Sequence, residues 1–278
     1  MDVKIDWLSF TIPIYASNGD LGEFASSVLG GIYQAIGVEC FDAIFKQKWD
    51  ERKGGRAPYQ YSHNIGKSGI VVFSSPKRND VLIELSGKGC DFIRDLGLQQ
   101  KLLESVKERV SRIDLAADME TDTLPIEFAP RKQYAATRSF SELRSKTGQT
   151  VYIGSMASER YTRVYRYAPP HPRHKYLRVE HVFRRKVARS VAQKILDDGE
   201  KAVADWASHK ANFIHKSWVY GNREISLKTY SKNQLDAGKT IQWLKTQVRP
   251  AFRRLIEEGE IENPREFLMR VFLLPSEI

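Results

Sequence analysis

Cysteine is almost missing from this chain of 278 residues: only Cys40 and Cys90 occur. Two thiols without metal-ligand spacing exclude a disulfide framework and predict a reducing compartment. Long apolar runs are also missing. No segment approaches the ~20 apolar residues that a bilayer span needs, so no membrane is expected as a partner. The N-terminus, "MDVKIDWLSFTIPIY", carries acids where a secretory signal needs lysines, and Pro13 interrupts it early. The expected location is cytoplasmic. Internal repeats and low-complexity segments are absent as well.

What remains is an ordinary globular composition, 41% apolar and 28% charged, which excludes a disordered chain. The length suffices for one large domain, or for one domain with an appendage. The charge is one-sided: 44 Lys and Arg against 34 Asp and Glu give +10. Ten of the basic residues and only two acids, Glu159 and Glu180, lie between residues 159 and 189. Such a concentration favours a polyanionic partner.

The first half reads as strands with helices inserted. "VKIDWLSFTI" is a strand by its β-branched and aromatic content. "LGEFASSVLGGIYQAIG" has helical spacing and is expected to stop near Gly37. "GIVVFSS" and "DVLIELS" form a hairpin pattern, "LQQKLLESVKERV" an amphipathic helix, and "SRIDLAAD", "TVYIGS", "YTRVYRY" and "KYLRVEHVFRR" further strands. Helical periods take over from about Lys186. The expected fold is α+β: a largely antiparallel, curved β-sheet with helices on one face over residues 1–190, followed by a helical C-terminal region over 191–278. Within the latter, "TIQWLKTQVRPAFRRLIEEG" is expected to pack on the sheet, recognise DNA or form a dimer.

Alternation along the strands sorts side chains by face. Arg112, Asp114, Ala116 and Asp118 share one face, opposite Ile113, Leu115 and Ala117. Tyr161, Arg163, Tyr165 and Tyr167 oppose Thr162, Val164 and Arg166. Tyr176, Arg178, Glu180, Val182 and Arg184 oppose Leu177, Val179, His181 and Phe183, and Glu84 opposes Val81, Ile83 and Leu85. Each strand thus offers an apolar face to helices and a face of carboxylate, arginine and tyrosine. Solvated cross-strand ion pairs are the plain reading of that polar face. The chemical reading is phosphodiester cleavage. A tyrosine hydroxyl attacks and stores the bond energy as a phosphotyrosine. Carboxylates hold a divalent metal against the phosphate, and arginines add a second clamp. Tyr165, central in its strand with Arg163 on the same face, is the expected nucleophile. Tyr161 and Tyr167 are expected base-stacking platforms.

The order "DWLSFTI", "IELSGKGC", "RIDLAADM", "GQTVYIGSMASERYTRVYRY" and "LRVEHVFRRKVA" resembles the replication initiation factor family (Rep_trans), over roughly residues 3–190. These are rolling-circle initiators of plasmids and filamentous phages, with relaxase relatives. The resemblance implies nicking of one strand at an origin, a 5′-phosphotyrosine intermediate, and later rejoining. It implies Tyr165 as nucleophile with Arg163 and Arg178 as catalytic arginines. Asp114, Asp118, Glu180 and Glu84 become the expected ligands of Mg²⁺ or Mn²⁺. Expected DNA contacts are Tyr161, Tyr167, Arg166, Arg160, Ser155, Arg184 and Arg185. The implied partner is origin DNA, single-stranded or hairpin, with a host helicase and a second copy of the chain as candidate partners. The chain departs from the family's "Y-D-K" element by reading "YRY" at Tyr165–Tyr167, and from "GSR" by reading "GSM" with Met156. A non-catalytic origin-binding protein of the same fold, or a relaxase, is the alternative. The histidines do not supply the His-hydrophobic-His pair of two-histidine nicking enzymes.

Overall fold

In this computed structural model the described residues are 2–14, 21–51, 54–129 and 139–210, with Arg253, residues 256–259 and Asn263. The chain divides into two compact units, Met1–Thr229 and Tyr230–Ile278. All the elements below belong to the first. In the second, Arg253, Ile256 and Glu257 are helical, Glu258 and Gly259 form a turn, and the rest of "TIQWLKTQVRPAFRRLIEEG" lies outside the described residues.

Alternating β-branched and aromatic residues produce ten strands among the described residues: β1 (Val3–Pro13), β2 (Trp49–Glu51), β3 (Tyr61–Ile65), β4 (Ile70–Ser74), β5 (Asp80–Leu85), β6 (Val110–Glu120), β7 (Phe140–Ser145), β8 (Gly148–Ile153), β9 (Arg160–Tyr167) and β10 (Tyr176–Arg184). They form one open sheet in the order β2-β3-β4-β5-β1-β6-β10-β9-β8-β7. Every neighbouring pair is antiparallel. Six α-helices accompany it among the described residues of this unit: α1 (Leu21–Phe45), α2 (Gly87–Asp95), α3 (Gln99–Val106), α4 (Pro125–Phe128), α5 (Arg185–Asp198) and α6 (Glu200–Lys210). This is the α+β class that the strand and helix patterns predict.

One face of the sheet is apolar. Phe10, Ile12, Ile83, Leu85, Ile113, Leu115 and Phe183 are buried with residues of α1, α2, α3, α5 and α6 in one core. A smaller core joins Ala117, Val151, Val164, Leu177 and Val179 to Phe128 of α4 and to Ala129. Leu177 and Val179 of β10 alternate with Arg178 and Glu180, so the other face is left for polar groups.

Three features depart from the sequence reading. First, α1 does not stop at Gly37. That residue sits at φ 76, a left-handed conformation that costs glycine little, and the helix resumes to Phe45. Its buried stripe, Phe24, Val28, Ile32, Ile36, Cys40 and Ile44, recurs every fourth residue. A stripe of that period drifts about 40° per step around a helix of 3.6 residues per turn, and the break at Gly37 interrupts the drift. Second, the segment Glu23–Phe45 is long and apolar enough to cross a bilayer, where no such run was expected, yet its stripe is packed in the core. Third, the expected boundary near residue 190 falls inside α5. Ala188, Val191, Ala192 and Ile195 of that helix, and Val203, Ala204 and Trp206 of α6, are part of the same core as β1 and β6, so this helical stretch packs with the sheet.

His181 ties α6 to the sheet. It is fully buried, with Nδ1 2.8 Å from Thr162 Oγ1 and Nε2 2.9 Å from Ser208 Oγ. Burial lowers its pKa to about 3. The unfolded chain takes up a proton at this residue below its ordinary value and the folded chain does not. Stability from His181 is therefore complete above roughly pH 6.5 and is lost as pH falls. Urea unfolding should show a loss of about 1.4 kcal/mol per pH unit below that point from this residue. The loss should be absent in His181→Gln.

Candidate functional site

The polar face is organised in cross-strand rows. Tyr165 of β9 lies opposite Arg178 of β10, which lies opposite Asp118 of β6. In the next row Arg163 faces Glu180, which faces Ala116. In the third, Tyr161 faces Val182, Val182 faces Asp114, and Asp114 faces Trp7 of β1. Residues opposite or diagonal across a ladder are within side-chain reach, so the chemistry follows from register.

Tyr165 donates its phenolic hydrogen to Glu180 Oε1. Arg163 donates from Nε to Glu180 Oε2 and places its guanidinium 5.5 Å from the centre of the Tyr165 ring. Glu180 is buried, so its charge is matched by partners rather than by water. Burial, followed by the Glu180 charge and hydrogen bond, pushes the Tyr165 phenol well above its ordinary pKa. The hydroxyl is thus held neutral and aimed at a carboxylate.

Arg178 is buried too. Its Nε and Nη2 grip Asp118 at 2.7 and 2.6 Å, and Nη1 reaches Asp6 Oδ2 at 3.0 Å. Sequence reasoning treated Asp6 only as part of a strand. A β-bulge brings it in: Ile5 pairs with Leu115 and Trp7 with Asp114, so Asp6 is the extra residue of β1. Burial raises the Asp6 carboxyl above its ordinary value, with Arg178 pulling the other way. The signal was present, because the buried positions Ile5, Leu8, Phe10 and Ile12 change phase between Ile5 and Leu8.

The four acids expected to share a metal each face a different guanidinium. Asp114 is bound by Arg112 at 2.9 and 2.5 Å, Asp118 by Arg178, Glu180 by Arg163, and Glu84 by Arg56 at 2.6 Å. Glu84 is on β5, four strands from β9, about 19 Å at ordinary strand spacing. Asp114 lies four residues along the ladder from the level of Tyr165, about 13 Å. Among the described residues no three carboxylate, imidazole or thiol groups converge as a metal cage does. The acids as arranged do not fit the expected Mg²⁺ or Mn²⁺ centre.

The expected DNA contacts divide. Tyr167 stacks on His171 at 3.8 Å and meets the Tyr165 ring edge-on at 5.4 Å; sequence reasoning did not give His171 this place. Arg160 and Arg185 are exposed, as is Ser155, whose Oγ accepts a hydrogen bond from the Ala157 amide. Tyr161, expected as a platform, is buried beneath Arg184, whose guanidinium lies 5.3 Å from its ring. Arg184 also donates to the Met156 carbonyl at 2.7 Å. Arg166 leaves the site: it points from the opposite face of β9 and donates to the carbonyls of His174 and Asp122 at 2.6 and 2.9 Å.

With tyrosine, carboxylate and arginine gathered on an open antiparallel sheet, a structural comparison decides the fold. The chain shares its fold with a rolling-circle replication initiator. That protein, from Geobacillus stearothermophilus, superposes with a TM-score of 0.51 and 18% identity, over 82% of this chain and 90% of its own. No family model matches the sequence, and no curated protein does. At this identity the likeness carries the architecture, and the chemistry has to come from this chain's own residues.

Removing Arg112 leaves the buried Asp114 carboxylate without its partner. Arg112→Ala should cost about 3 kcal/mol or more in chemical denaturation. Arg112→Ala combined with Asp114→Ala should recover much of the loss, because the pair then disappears together.

Proposed function

We propose that this chain nicks and rejoins one DNA strand as a rolling-circle replication initiator does, with Tyr165 as the nucleophile. The observation that carries this reading is the hydrogen bond from the Tyr165 hydroxyl to Glu180, braced by Arg163, on a sheet of the initiator fold.

In the first step Tyr165 Oη attacks the phosphorus of one phosphodiester. The Oη–P bond forms and the P–O3′ bond breaks. The phenolic proton passes to Glu180, and the departing 3′ oxygen takes a proton from solvent. Glu180 acts as the general base at hydrogen-bond distance. A phenol of raised pKa needs such a base, since so little of it ionises by itself. Arg163, which pairs with Glu180 and is about a third exposed, is the cation placed to meet the phosphate oxygens as well. The Tyr167–His171 stack offers a flat surface for an adjoining base. Rejoining runs the steps backwards: a 3′ hydroxyl attacks the phosphotyrosine, and Glu180 returns the proton to the phenol. The basic segment 159–189 supplies the long-range attraction for a polyanion.

A second reading is favoured by the "YRY" departure and by the raised Tyr165 pKa: a DNA-binding protein of this fold without the chemistry. One assay separates them. Wild type incubated with labelled single-stranded or supercoiled origin DNA, with and without Mg²⁺ or Mn²⁺, should give a protein–DNA adduct that survives denaturant. Tyr165→Phe should give none, Tyr167→Phe should still give it, and Glu180→Gln should slow it by about 100-fold or more. An undiminished adduct in Tyr165→Phe means another nucleophile. Salt-sensitive binding with no adduct from wild type means the binding protein.

A further inference from the structure

Three carboxylates from three strands surround one guanidinium. Asp118 of β6 takes Nε and Nη2 of Arg178, Asp6 of β1 takes Nη1 at 3.0 Å, and Glu180 Oε1 lies 3.9 Å from the same Nη1. Arg178 is buried, with 7% of its side chain exposed, and Glu180 is more deeply buried, with 1% exposed. The β-bulge that displaces Asp6 from the regular ladder is what completes the set. Without a cation among them, three acids so close would repel one another in a medium that screens poorly.

We propose that the Arg178 guanidinium is the resident cation of this site: it gathers Asp6, Asp118 and Glu180 in the way a divalent ion gathers carboxylates, so that Tyr165 attack needs no metal. The first half of this statement rests on the geometry alone, and the second on the reading of Tyr165 as nucleophile. Two properties suit arginine to the task. Its charge is permanent, and its planar fork matches the paired oxygens of Asp118 while its third arm remains for Asp6. A magnesium ion, by contrast, demands oxygens at about 2.1 Å in octahedral order, and the guanidinium holds these carboxylates apart. Arg178 acts through Glu180. Fixing that carboxylate beside Tyr165 makes Arg178 a positioning residue, and Asp6 a support for it.

The test compares full-length wild type, Arg178→Ala and Arg178→Lys for Mn²⁺ binding, by electron paramagnetic resonance and by thermal unfolding with and without millimolar Mn²⁺. Wild type and Arg178→Lys should bind no stoichiometric Mn²⁺ and unfold at an unchanged temperature. Arg178→Ala should unfold earlier and regain several degrees on adding Mn²⁺, because the emptied position between three acids accepts the ion. Adding Asp6→Asn to Arg178→Ala should abolish that gain. A merely structural arginine would give a destabilised variant with no such response to Mn²⁺, and that result overturns the proposal. One Mn²⁺ bound per wild-type chain overturns it equally, and this arm decides the matter even if Arg178→Ala fails to fold. In the adduct assay, wild type should react equally fast in EDTA, and an adduct that requires metal contradicts the proposal. If no adduct forms under any condition, the nicking reading fails, while Mn²⁺ binding still judges the role of Arg178.

Discussion

The pairing of Glu180 with Tyr165 and Arg163 is the interaction on which the rest depends. A buried carboxylate is tolerable only when cations and hydrogen-bond donors replace water around it. Here the donors are the phenol and the guanidinium of the neighbouring strand, with Arg178 close behind. The same contacts that neutralise Glu180 hold it against the Tyr165 hydroxyl. In the proposed nicking reaction, stability and reactivity would use one set of atoms.

The sheet order is what assembles that set. Asp6, Asp118, Glu180 and Tyr165 come from β1, β6, β10 and β9; β1, β6 and the successive pair β9 and β10 are far apart in sequence, and all four strands are consecutive in the sheet. Helices cover the apolar face, so the opposite face is free to carry charge without disturbing the core. Buried polar groups on both faces help fix the arrangement. His181 joins β9 and α6 through Thr162 and Ser208, one residue away from Glu180 and on the other side of the sheet. The ion pair of Arg112 and Asp114, with Arg112 4.7 Å from the Trp7 ring centre, closes the face beside the tyrosine site.

Much of this was legible in the sequence. Period-two alternation sorts Arg163 and Tyr165 from Val164, and Arg178 and Glu180 from Val179, and the two faces follow. Strand register was not legible. Alternation says which face a residue takes and nothing about its level along the ladder, so Asp114, Asp118, Glu180 and Glu84 looked equivalent as ligands. Register separates them: Glu84 is four strands from the tyrosine, and Asp114 is level with Tyr161. Arg166 falls on the opposite face by alternation alone, so its distance from the site is already implicit in the sequence. Burial beneath Arg184, by contrast, is invisible in the spacing of Tyr161. The bulge at Asp6 left a readable trace in the phase of β1, but only the ladder opposite shows which residue is displaced.

The protonation state of the Tyr165 phenol is read directly by a titration of tyrosine ring carbons in nuclear magnetic resonance. Exposed tyrosines ionise near pH 10. The resonance missing from Tyr165→Phe should stay in its neutral position well past that value, and move toward ordinary behaviour when Glu180 is replaced by glutamine. A Tyr165 signal that titrates with the exposed tyrosines, and is indifferent to Glu180→Gln, would contradict the pairing of Tyr165 with Glu180.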